Sequence, residues 1–481
     1  MRRSPPADGA PDWVADAVTY QIFPDRFRRS GRVEHQQGLL LLPWGSDPAL
    51  PGFQGGDLYG VIAALDDLQA LGVTCLYLTP IFSSAANHRY HTYDYVQVDP
   101  LLGGNAAFDA LITALHQRGM RLILDGVFNH CGRGFWAFHH LLENGEASPY
   151  RDWFTVEHWP LVPYPLRRSQ RCGYAAWWDL PGLPKFNHAN PAVQEYLLAV
   201  GRHWLERGID GWRLDVPDEV PLPFWQAFRA MVKQVNPQAW IVGEIWGDPS
   251  QWLEPACFDG VMNYRLAWTL LGFAGGSRLR RRLARPSRPY APIDGLVCSQ
   301  RLIDLHQSLP ETLRRAQLNL LDSHDVPRAL HVLGDDPGAL SLALLLLFCL
   351  PGAPCIYYGT ELGLAGGEEP ACREALPAGP PDGAPDLRPL IASLAALRRE
   401  VPALRSVDLR AEALCNGRGR AEGVLLERSR RIRVVLHRGR SGRLPLPQAP
   451  EDWQVIWPPD RRGEPAPGAL APQEGLVLER L

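Results

Sequence analysis

Lysine is scarce in this sequence and a long apolar run is absent, and each shortage excludes a class of protein. Lys185 and Lys233 are the two lysines, and the formal net charge is -3. No broad attraction to nucleic acid or to an anionic membrane surface is therefore expected. The most apolar stretch, residues 342–350, is too short to span a bilayer. Residues 1–12 have no apolar core of a secretory signal, so we expect a cytoplasmic protein.

The sequence also lacks several motifs of metal and nucleophile chemistry. Its nine cysteines are scattered without a C-x-x-C pair, and several, such as Cys75 and Cys349, stand in apolar runs. We expect buried free thiols in place of a disulfide framework. No H-E-x-x-H motif, no cysteine and histidine spacing for zinc and no G-x-S-x-G motif occurs. A zinc protease and a serine hydrolase thus lack their usual signatures.

Short apolar strands alternate with helical segments over residues 12–400. The predicted strands are 18–23, 73–78, 121–125, 211–214, 240–244, 258–262, 316–321 and 355–358. Regular alternation predicts a parallel sheet with crossover helices, and eight units favour an α/β fold of the (β/α)8 TIM-barrel type. An open doubly wound sheet is the alternative. It would need a glycine-rich loop after the first strand, where residues 24–27 read PDRF.

Two regions depart from this alternation. Residues 131–188 are rich in aromatic residues and proline, which indicates an inserted subdomain after the third strand. From residue 401, apolar residues recur with a period of two between turn residues, which predicts a C-terminal antiparallel β-domain over 401–481. The predicted organisation is a tail at 1–11, a catalytic barrel over 12–400 that contains the insertion, and this β-domain.

Acidic residues stand at the C-terminal ends of several predicted strands. Asp125, Asp215 and Glu244 end three of them, and Asp325 follows the seventh. In a barrel these ends meet on one face, where active sites form. Arg213 lies two residues before Asp215, so both side chains leave the same face of the strand, and the positive charge should keep Asp215 ionised. Taken alone, this pair could equally be a structural ion pair at the end of a strand.

Such a set of carboxylates suits the cleavage of a glycosidic bond with retention of configuration. The reaction needs one carboxylate as nucleophile and one carboxylic acid as proton donor, about 5–5.5 Å apart. Asp215 fits the nucleophile. Glu244 has no adjacent base in the sequence and lies among anions, so its pKa should rise, as a proton donor requires. Asp325 could bind sugar hydroxyls and stabilise the positive transition state, and His130 and His324 could donate to hydroxyls.

Four motifs in this order resemble those of the alpha-amylase family, glycoside hydrolase family 13. They are DGVFNH at 125–130, GWRLDV at 211–216, GEIW at 243–246 and LLDSHD at 320–325. The resemblance covers about residues 12–400. It implies that Asp215 is the nucleophile, Glu244 the acid/base and Asp325 the transition-state stabiliser. Together with the likeness to one group of the family, described in the next paragraph, it also implies a set of substrate-binding residues. They are His88, Tyr90, Asp125, His130, Arg213, Glu219, Val220, Trp246 and His324.

Within this family, the chain is most similar to the neopullulanase, cyclomaltodextrinase and maltogenic amylase group. The matching stretches are VTYQIFPDRF at 18–27, LPKFN at 183–187 and DVPDEV at 215–220. This likeness implies that Glu219 and Val220 line the acceptor side, where Trp246 stacks. The motif NHRY at 87–90 implies that Tyr90 is the platform under the sugar. A solvated loop acid is the alternative for Glu219, and an ordinary loop aromatic is the alternative for Tyr90.

The chain departs from this group in three places. The group carries an extra N-terminal β-domain used in dimerisation, whereas here the barrel begins almost at once, so we expect no dimer of that kind and leave the oligomeric state open. The group's calcium loop is rich in Asn and Asp, but residues 28–34 read RRSGRVE, although GGD is retained at 55–57. Calcium requires oxygen ligands, so we expect no required cofactor and doubt a calcium site. His91 replaces a frequent aspartate, which leaves the substrate preference open.

The sequence therefore predicts a retaining hydrolase of α-glucosidic bonds, mainly α-1,4, with an α-glucan oligosaccharide as its partner. Malto-oligosaccharides, cyclodextrins, starch and pullulan are the candidate substrates. One alternative is a glycosyltransferase on the same scaffold, because water and a sugar hydroxyl compete for the same covalent intermediate. Another is a barrel that binds glucan without cleaving it, which predicts the loss of Asp215, Glu244 or Asp325.

Overall fold

The computed structural model describes residues 9–167, 170–253, 257–447 and 450–481. Most of the predicted tail, namely residues 1–8, lies outside the described residues. Within these ranges, short parallel strands form a barrel: β1 Thr19–Ile22, β2 Cys75–Leu78, β3 Arg121–Gly126, β4 Gly211–Leu214, β5 Trp240–Gly243, β6 Gly260–Val261, β7 Leu318–Leu320 and β8 Ala353–Tyr357.

The strand order confirms the predicted barrel. Hydrogen-bonded neighbours run β6-β5-β4-β3-β2-β1-β8-β7, and a parallel bridge between Met262 and Leu318 joins the two ends of this row. The alternative of an open doubly wound sheet is therefore wrong. All strand residues except Arg121 are buried, which explains why these strands read as continuous apolar runs. The first residue of β4, Gly211, has to be a glycine, because a Cβ there would lie 2.2 Å from the Trp240 carbonyl oxygen of β5.

Helices surround the barrel and connect its strands. They are α1 Pro24–Phe27, α2 Leu58–Ile62, α3 Leu65–Ala70, α4 Gly104–Gln117, α5 Trp136–Asn144, α6 Pro191–Glu206, α7 Leu222–Val235, α8 Ser250–Leu253, α9 Tyr264–Gly275, α10 Gly295–Gln307, α11 Glu311–Arg314, α12 Ala329–Val332, α13 Pro337–Cys349 and α14 Arg388–Glu400. The apolar spacing over residues 58–71 suggests one helix, but α2 and α3 divide it. The Ala64 amide bonds to Val61 three residues back, which tightens the turn between them.

The most apolar stretch of the sequence is a buried helix. In α13, the leucines at 342 and 344–347 are at most 3% exposed, because the helix lies between the barrel and the C-terminal sheet. A Cβ at Gly475 in that sheet would meet Leu345 and Leu342. Among the described residues, no helix combines the length and apolar character needed to cross a bilayer.

The C-terminal antiparallel sheet is confirmed. It consists of β9 Arg410–Cys415, β10 Ala421–Glu427, β11 Ile432–His437, β12 Trp453–Trp457 and β13 Gly475–Arg480. The order of these strands is β9-β10-β11-β13-β12, and every pairing is antiparallel. A separate pair joins Leu444–Pro445 to Ala469–Leu470.

Two connections bring further residues to the end of the barrel where the strands terminate. After β2, a hairpin of Phe82–Ser84 and Thr92–Val98 carries the loop that contains Tyr90. Between β3 and α6, the described part of residues 131–188 contains α5 and short turns, and isolated bridges join Lys185 to His130 and Ala176 to Pro184. The domain boundaries given above stay a prediction.

Candidate active site

One buried arginine joins the acidic strand ends. The Arg213 side chain at the end of β4 is fully buried. Its Nη1 lies 2.9 Å from carboxylate oxygens of both Asp125 and Asp215, and its Nη2 lies 2.9 Å from Glu244 Oε2 and 3.9 Å from Asp325 Oδ2. These residues come from four different strand ends, so the barrel brings together the acidic residues that the sequence singled out. Glu244 has no base beside it in the sequence, but Arg213 reaches it across the strands.

The arginine holds its charge because of its neighbours. Burial acts to lower the pKa of Arg213, but Asp125 and Glu244 outweigh it, and the pKa of the guanidinium is raised well above its ordinary value. Removing charge from water at this depth is costly unless the geometry is good and hydrogen bonds complete the pairing. Hydrogen bonds from Nη1 to Asp125 and Asp215 supply that pairing, and Nη2 adds the ion pair with Glu244.

The two carboxyl groups flanking the guanidinium both bind a proton more tightly than usual. Burial raises the pKa of Glu244 to about 7, with Asp325 and Asp125 adding to the effect and Arg213 opposing it. Burial and the nearby Glu244 also raise the pKa of Asp215 well above its usual range, against the effect of Arg213. The expectation that Arg213 alone keeps Asp215 ionised therefore omitted burial and the other carboxylates. The Asp215 and Glu244 pair retains a proton near neutral pH, as acid–base chemistry requires.

The backbone between these two carboxyl groups is strained. Val216, directly after Asp215, has φ 43°, a left-handed conformation that a β-branched residue rarely adopts. This turn points the Val216 amide at Glu244 Oε2, 3.3 Å away. Strain of this kind persists where the surrounding structure fixes it, and it is concentrated at functional sites.

Asp325 remains an anion beside a cation that the sequence did not reveal. Arg373 Nη2 lies 3.2 Å from Asp325 Oδ1, and Arg373 also pairs with Glu369 at 2.8 Å. Burial raises the pKa of Asp325, but His324, Arg373 and Arg213 outweigh burial and lower the pKa. The sequence carried no signal for this contact, since Arg373 follows β8 and stands 48 residues after its partner.

Tyr90 is held by a network that includes Asp125, one of the partners of Arg213. Its hydroxyl donates to Asp125 Oδ2 at 2.9 Å, and Tyr77 from β2 donates to the same oxygen at 2.8 Å. The ring of Tyr90 lies parallel to that of His324, with centroids 5.5 Å apart, and the two side chains also hydrogen bond. This network fixes the orientation of the tyrosine. Tyr77 is an inward-facing strand residue that no sequence pattern singled out.

The predicted histidines lie in the same region. His88 stacks on Tyr90 with centroids 5.9 Å apart and accepts from the Tyr90 amide at 3.2 Å. His130 is fully buried and stacks on Trp177. Burial lowers the pKa of His130 and of His324 to about 3, so both rings are neutral near pH 7. Neutral imidazoles can each donate one hydrogen bond and accept another.

The residues predicted for the acceptor side differ in their exposure. The Trp246 indole donates from Nε1 to Glu244 Oε1 at 3.2 Å, and its ring stacks on Tyr264 at 4.3 Å. Glu219 forms an ion pair with Lys185 at 2.8 Å, with a third of its side chain in solvent. Val220 is buried in the hydrophobic core. Their contacts with a ligand stay a prediction.

The loop expected to have lost its calcium site is held by nitrogen donors. Arg29 donates to the backbone carbonyls of Gln54 and Leu42. Asp57 accepts from the amide and hydroxyl of Ser30 and from the Gly60 amide. These oxygen atoms are already paired with N–H and O–H groups, and a guanidinium supplies the positive charge. A calcium ion needs six to eight oxygen ligands, and its absence from this loop stays a prediction.

Comparisons with known proteins agree with this geometry. The family model described as the alpha amylase catalytic domain matches residues 21–378. A cyclomaltodextrinase from Geobacillus thermopakistaniensis (strain MAS1) is 42% identical over 402 residues, which cover 83% of this chain and 65% of that relative's length. The chain thus spans slightly under two thirds of that relative.

Two solved structures match nearly the whole chain. Ttha1563 from Thermus thermophilus has a TM-score of 0.89 at 43% identity, covering 98% of this chain and 100% of that one. A cyclic alpha-maltosyl-(1→6)-maltose hydrolase from Arthrobacter globiformis, in complex with cyclic alpha-maltosyl-(1→6)-maltose, has a TM-score of 0.85 at 38% identity, covering 98% and 99% of the two chains.

Proposed function

Because the chain belongs to the alpha-amylase family, we propose that it is a retaining hydrolase of α-glucosidic bonds, mainly α-1,4, in malto-oligosaccharides, cyclodextrins, starch or pullulan. The observation that carries the proposal is the contact of one guanidinium with both Asp215 and Glu244 at 2.9 Å. Two carboxyl groups on neighbouring strands, held to one cation and both with raised pKa values, form the pair that a double displacement needs.

In this mechanism the two carboxyl groups act in sequence. Asp215 attacks the anomeric carbon as Glu244 gives its proton to the departing glycosidic oxygen, leaving a covalent glycosyl-enzyme. Glu244, now ionised, takes a proton from water, and the hydroxide oxygen displaces Asp215. A pKa of about 7 suits Glu244 for both steps. Asp325, kept anionic by Arg373 and Arg213, stabilises the positive charge that develops on the sugar.

Replacement of Glu244 by Gln tests the proposal. The amide cannot donate a proton as an acid, so hydrolysis of maltotriose and β-cyclodextrin should fall by about 10²–10⁴-fold. The amide oxygen can still accept from Trp246, so thermal unfolding should confirm a folded variant. Undiminished turnover in that folded variant would refute the proposed mechanism.

Transfer to a sugar acceptor is the second candidate, and Trp246 favours it. Its indole lies beside Glu244 and offers a surface on which an acceptor sugar can stack. Products of the wild-type enzyme at high maltose concentration separate the two reactions. Products longer than the substrate, or products with α-1,6 linkages, favour transfer, whereas glucose alone favours hydrolysis.

We further propose that the enzyme needs no metal and works in the cytoplasm. Two sets of hydrogen bonds support the first proposal: Arg29 donates to the Gln54 and Leu42 carbonyls, and Asp57 accepts from Ser30 and Gly60. Dialysis against EDTA should leave maltotriose hydrolysis unchanged. Buried free thiols support the second, since Cys75, Cys349 and Cys355 form no disulfide. Free thiols are the usual state of cysteine in a reducing compartment.

A further inference from the structure

The loop at residues 176–184 holds two tryptophans beside the candidate active site. Ala176 pairs with Pro184 in an antiparallel bridge, and the Trp177 amide donates to the Leu183 carbonyl at 3.0 Å. The base of the loop is therefore fixed. The same segment continues into Lys185, which pairs with His130 across the next bridge. The loop is thus tied by backbone bonds to a residue of the site.

The rings of His130, Trp177 and Trp178 form a stack that runs outward from the candidate active site. The buried His130 ring lies 5.1 Å from Trp177 at an interplanar angle of 12°, and Trp177 lies 4.6 Å from Trp178 at 17°. Trp178 is 74% exposed. One of its faces covers Trp177, so its other face is open to solvent. A stack of three rings thus joins the candidate active site to the molecular surface and ends on the open face of Trp178.

Neither sterics nor burial accounts for the exposed position of Trp178. Trp178 has φ of 50°, a left-handed conformation that is costly for a residue with a bulky side chain, and Asp179 follows it with φ of 56°. A tryptophan gains most from burial, yet here the strained backbone presents it to water. Strain that is retained in order to expose a large apolar ring indicates a ligand for that ring.

Polar atoms along the stack also lack protein partners. His130 Nε2 and Trp177 Nε1 are buried, and neither has a hydrogen-bond partner among the described residues. A buried polar atom without a partner is costly. Both atoms lie beneath the protein surface, so the open face of Trp178 is the part of the stack that a ligand can reach. The flat faces of sugar rings suit such an aromatic face.

We propose that Trp178 is a stacking platform for a distal glucosyl unit of the substrate, outside the subsite where the bond is cleaved. This inference rests on the proposed function. The occupant is an α-glucan long enough to reach from Asp215 past His130 to the rim. A short substrate that ends before Trp178 gains nothing from it, so the residue selects for chain length.

The test compares a long substrate with a short one. In the full-length enzyme, Trp178→Ala should lower the ratio of kcat/KM for maltoheptaose to kcat/KM for maltotriose by about tenfold, the equivalent of about 1.4 kcal/mol of stacking. Trp178→Phe keeps a ring and should restore most of the ratio. Leu180→Ala is the matched control, because Leu180 is an exposed apolar residue of the same loop, and it should keep the wild-type ratio. An unchanged ratio in Trp178→Ala would overturn the proposal.

Two further measurements separate this proposal from folding defects and from the proposed function. Trp178→Gly relieves the backbone strain, so it should unfold at or above the wild-type temperature and still lose the preference for maltoheptaose. In the Glu244→Gln background, calorimetry should show weaker binding of maltoheptaose when Trp178 is also replaced. If replacement of Trp178 does not weaken the binding of maltoheptaose, the platform proposal is refuted, but the proposed hydrolase is not. Wild-type enzyme that leaves maltotriose intact refutes the proposed hydrolase, while the binding measurement still tests the platform.

Discussion

Two buried arginines of this protein, Arg213 and Arg398, are in opposite electrostatic environments. Arg213 contacts carboxylates, and its pKa is raised. Arg398, in α14, donates to the backbone carbonyls of Phe348, Leu350, Leu404, Ala15 and Gly352. Among the described residues it pairs with no carboxylate, and burial lowers its pKa to about 10.

The difference shows how one residue type serves two purposes. Backbone carbonyls offer Arg398 many hydrogen-bond acceptors but no full negative charge. Arg398 therefore holds the C-terminal end of α13 against the start of the next strand, β8. Around Arg213 the negative charge exceeds the positive charge, so a proton stays with Asp215 and Glu244. A surplus of carboxylates is destabilising in itself but supplies acid–base chemistry.

Replacement of Arg213 should have the largest effect on this contrast. Arg213→Met leaves several carboxylates buried without a cation, so the free energy of unfolding should fall by about 3–5 kcal/mol, and turnover should be lost. The carboxyl groups would then hold protons with raised pKa values. Their contribution to stability is present at low pH and lost as pH rises, so urea unfolding should show a smaller deficit at pH 5 than at pH 8. An equal deficit at both pH values would contradict this account.

Replacement of Arg398 should affect stability and not catalysis. Arg398→Met leaves carbonyl groups unpaired, and we expect a loss of about 1–3 kcal/mol in urea unfolding. The folded fraction should keep the wild-type kcat on maltotriose, because the guanidinium lies among backbone groups far in the fold from the acidic strand ends. A lowered kcat at full folding would remove the distinction between the two arginines.

Arg373 should show an intermediate effect at the edge of the carboxylate cluster. Arg373→Gln removes a cation 3.2 Å from Asp325, so the pKa of Asp325 should rise and its stabilisation of the transition state should weaken. We expect kcat to fall about tenfold, which corresponds to about 1.4 kcal/mol. Arg373→Lys should recover part of it. If the role of Arg373 were purely structural, Arg373→Gln would lower the free energy of unfolding and would leave the acid side of the pH profile of kcat unchanged.

The smallest effect concerns the pH profile of the wild-type enzyme. Glu244 donates only when protonated, and its pKa is raised to about 7. The value of kcat/KM on maltotriose should therefore decline as pH rises through about 7. The Arg398→Met enzyme should show the same basic limb. A profile that stays flat to about pH 9 would exclude Glu244 as the proton donor.

Local sequence patterns were sufficient to predict the fold class. Continuous apolar runs predicted buried parallel strands, and the bounds of β4 agree with the prediction because Gly211 and the Arg213–Asp215 pair mark its two ends. The same approach failed over residues 58–71, where apolar spacing fits one helix but a tighter turn at Ala64 divides it. The spacing of apolar residues records which face is buried and not where hydrogen bonding changes.

The sequence by itself determined which acidic residues stand at strand ends and that Arg213 and Asp215 share a face, because side-chain direction along one strand follows from its period of two. Tertiary structure alone decided that Arg213 also reaches Asp125 and Glu244, that Arg373 meets Asp325, and that Trp178 is held out in solvent. These contacts depend on the distance between segments remote in the chain, and burial there sets the pKa values. The residue pattern of a single strand predicts neither the distance between remote segments nor the burial of a site formed by several strands.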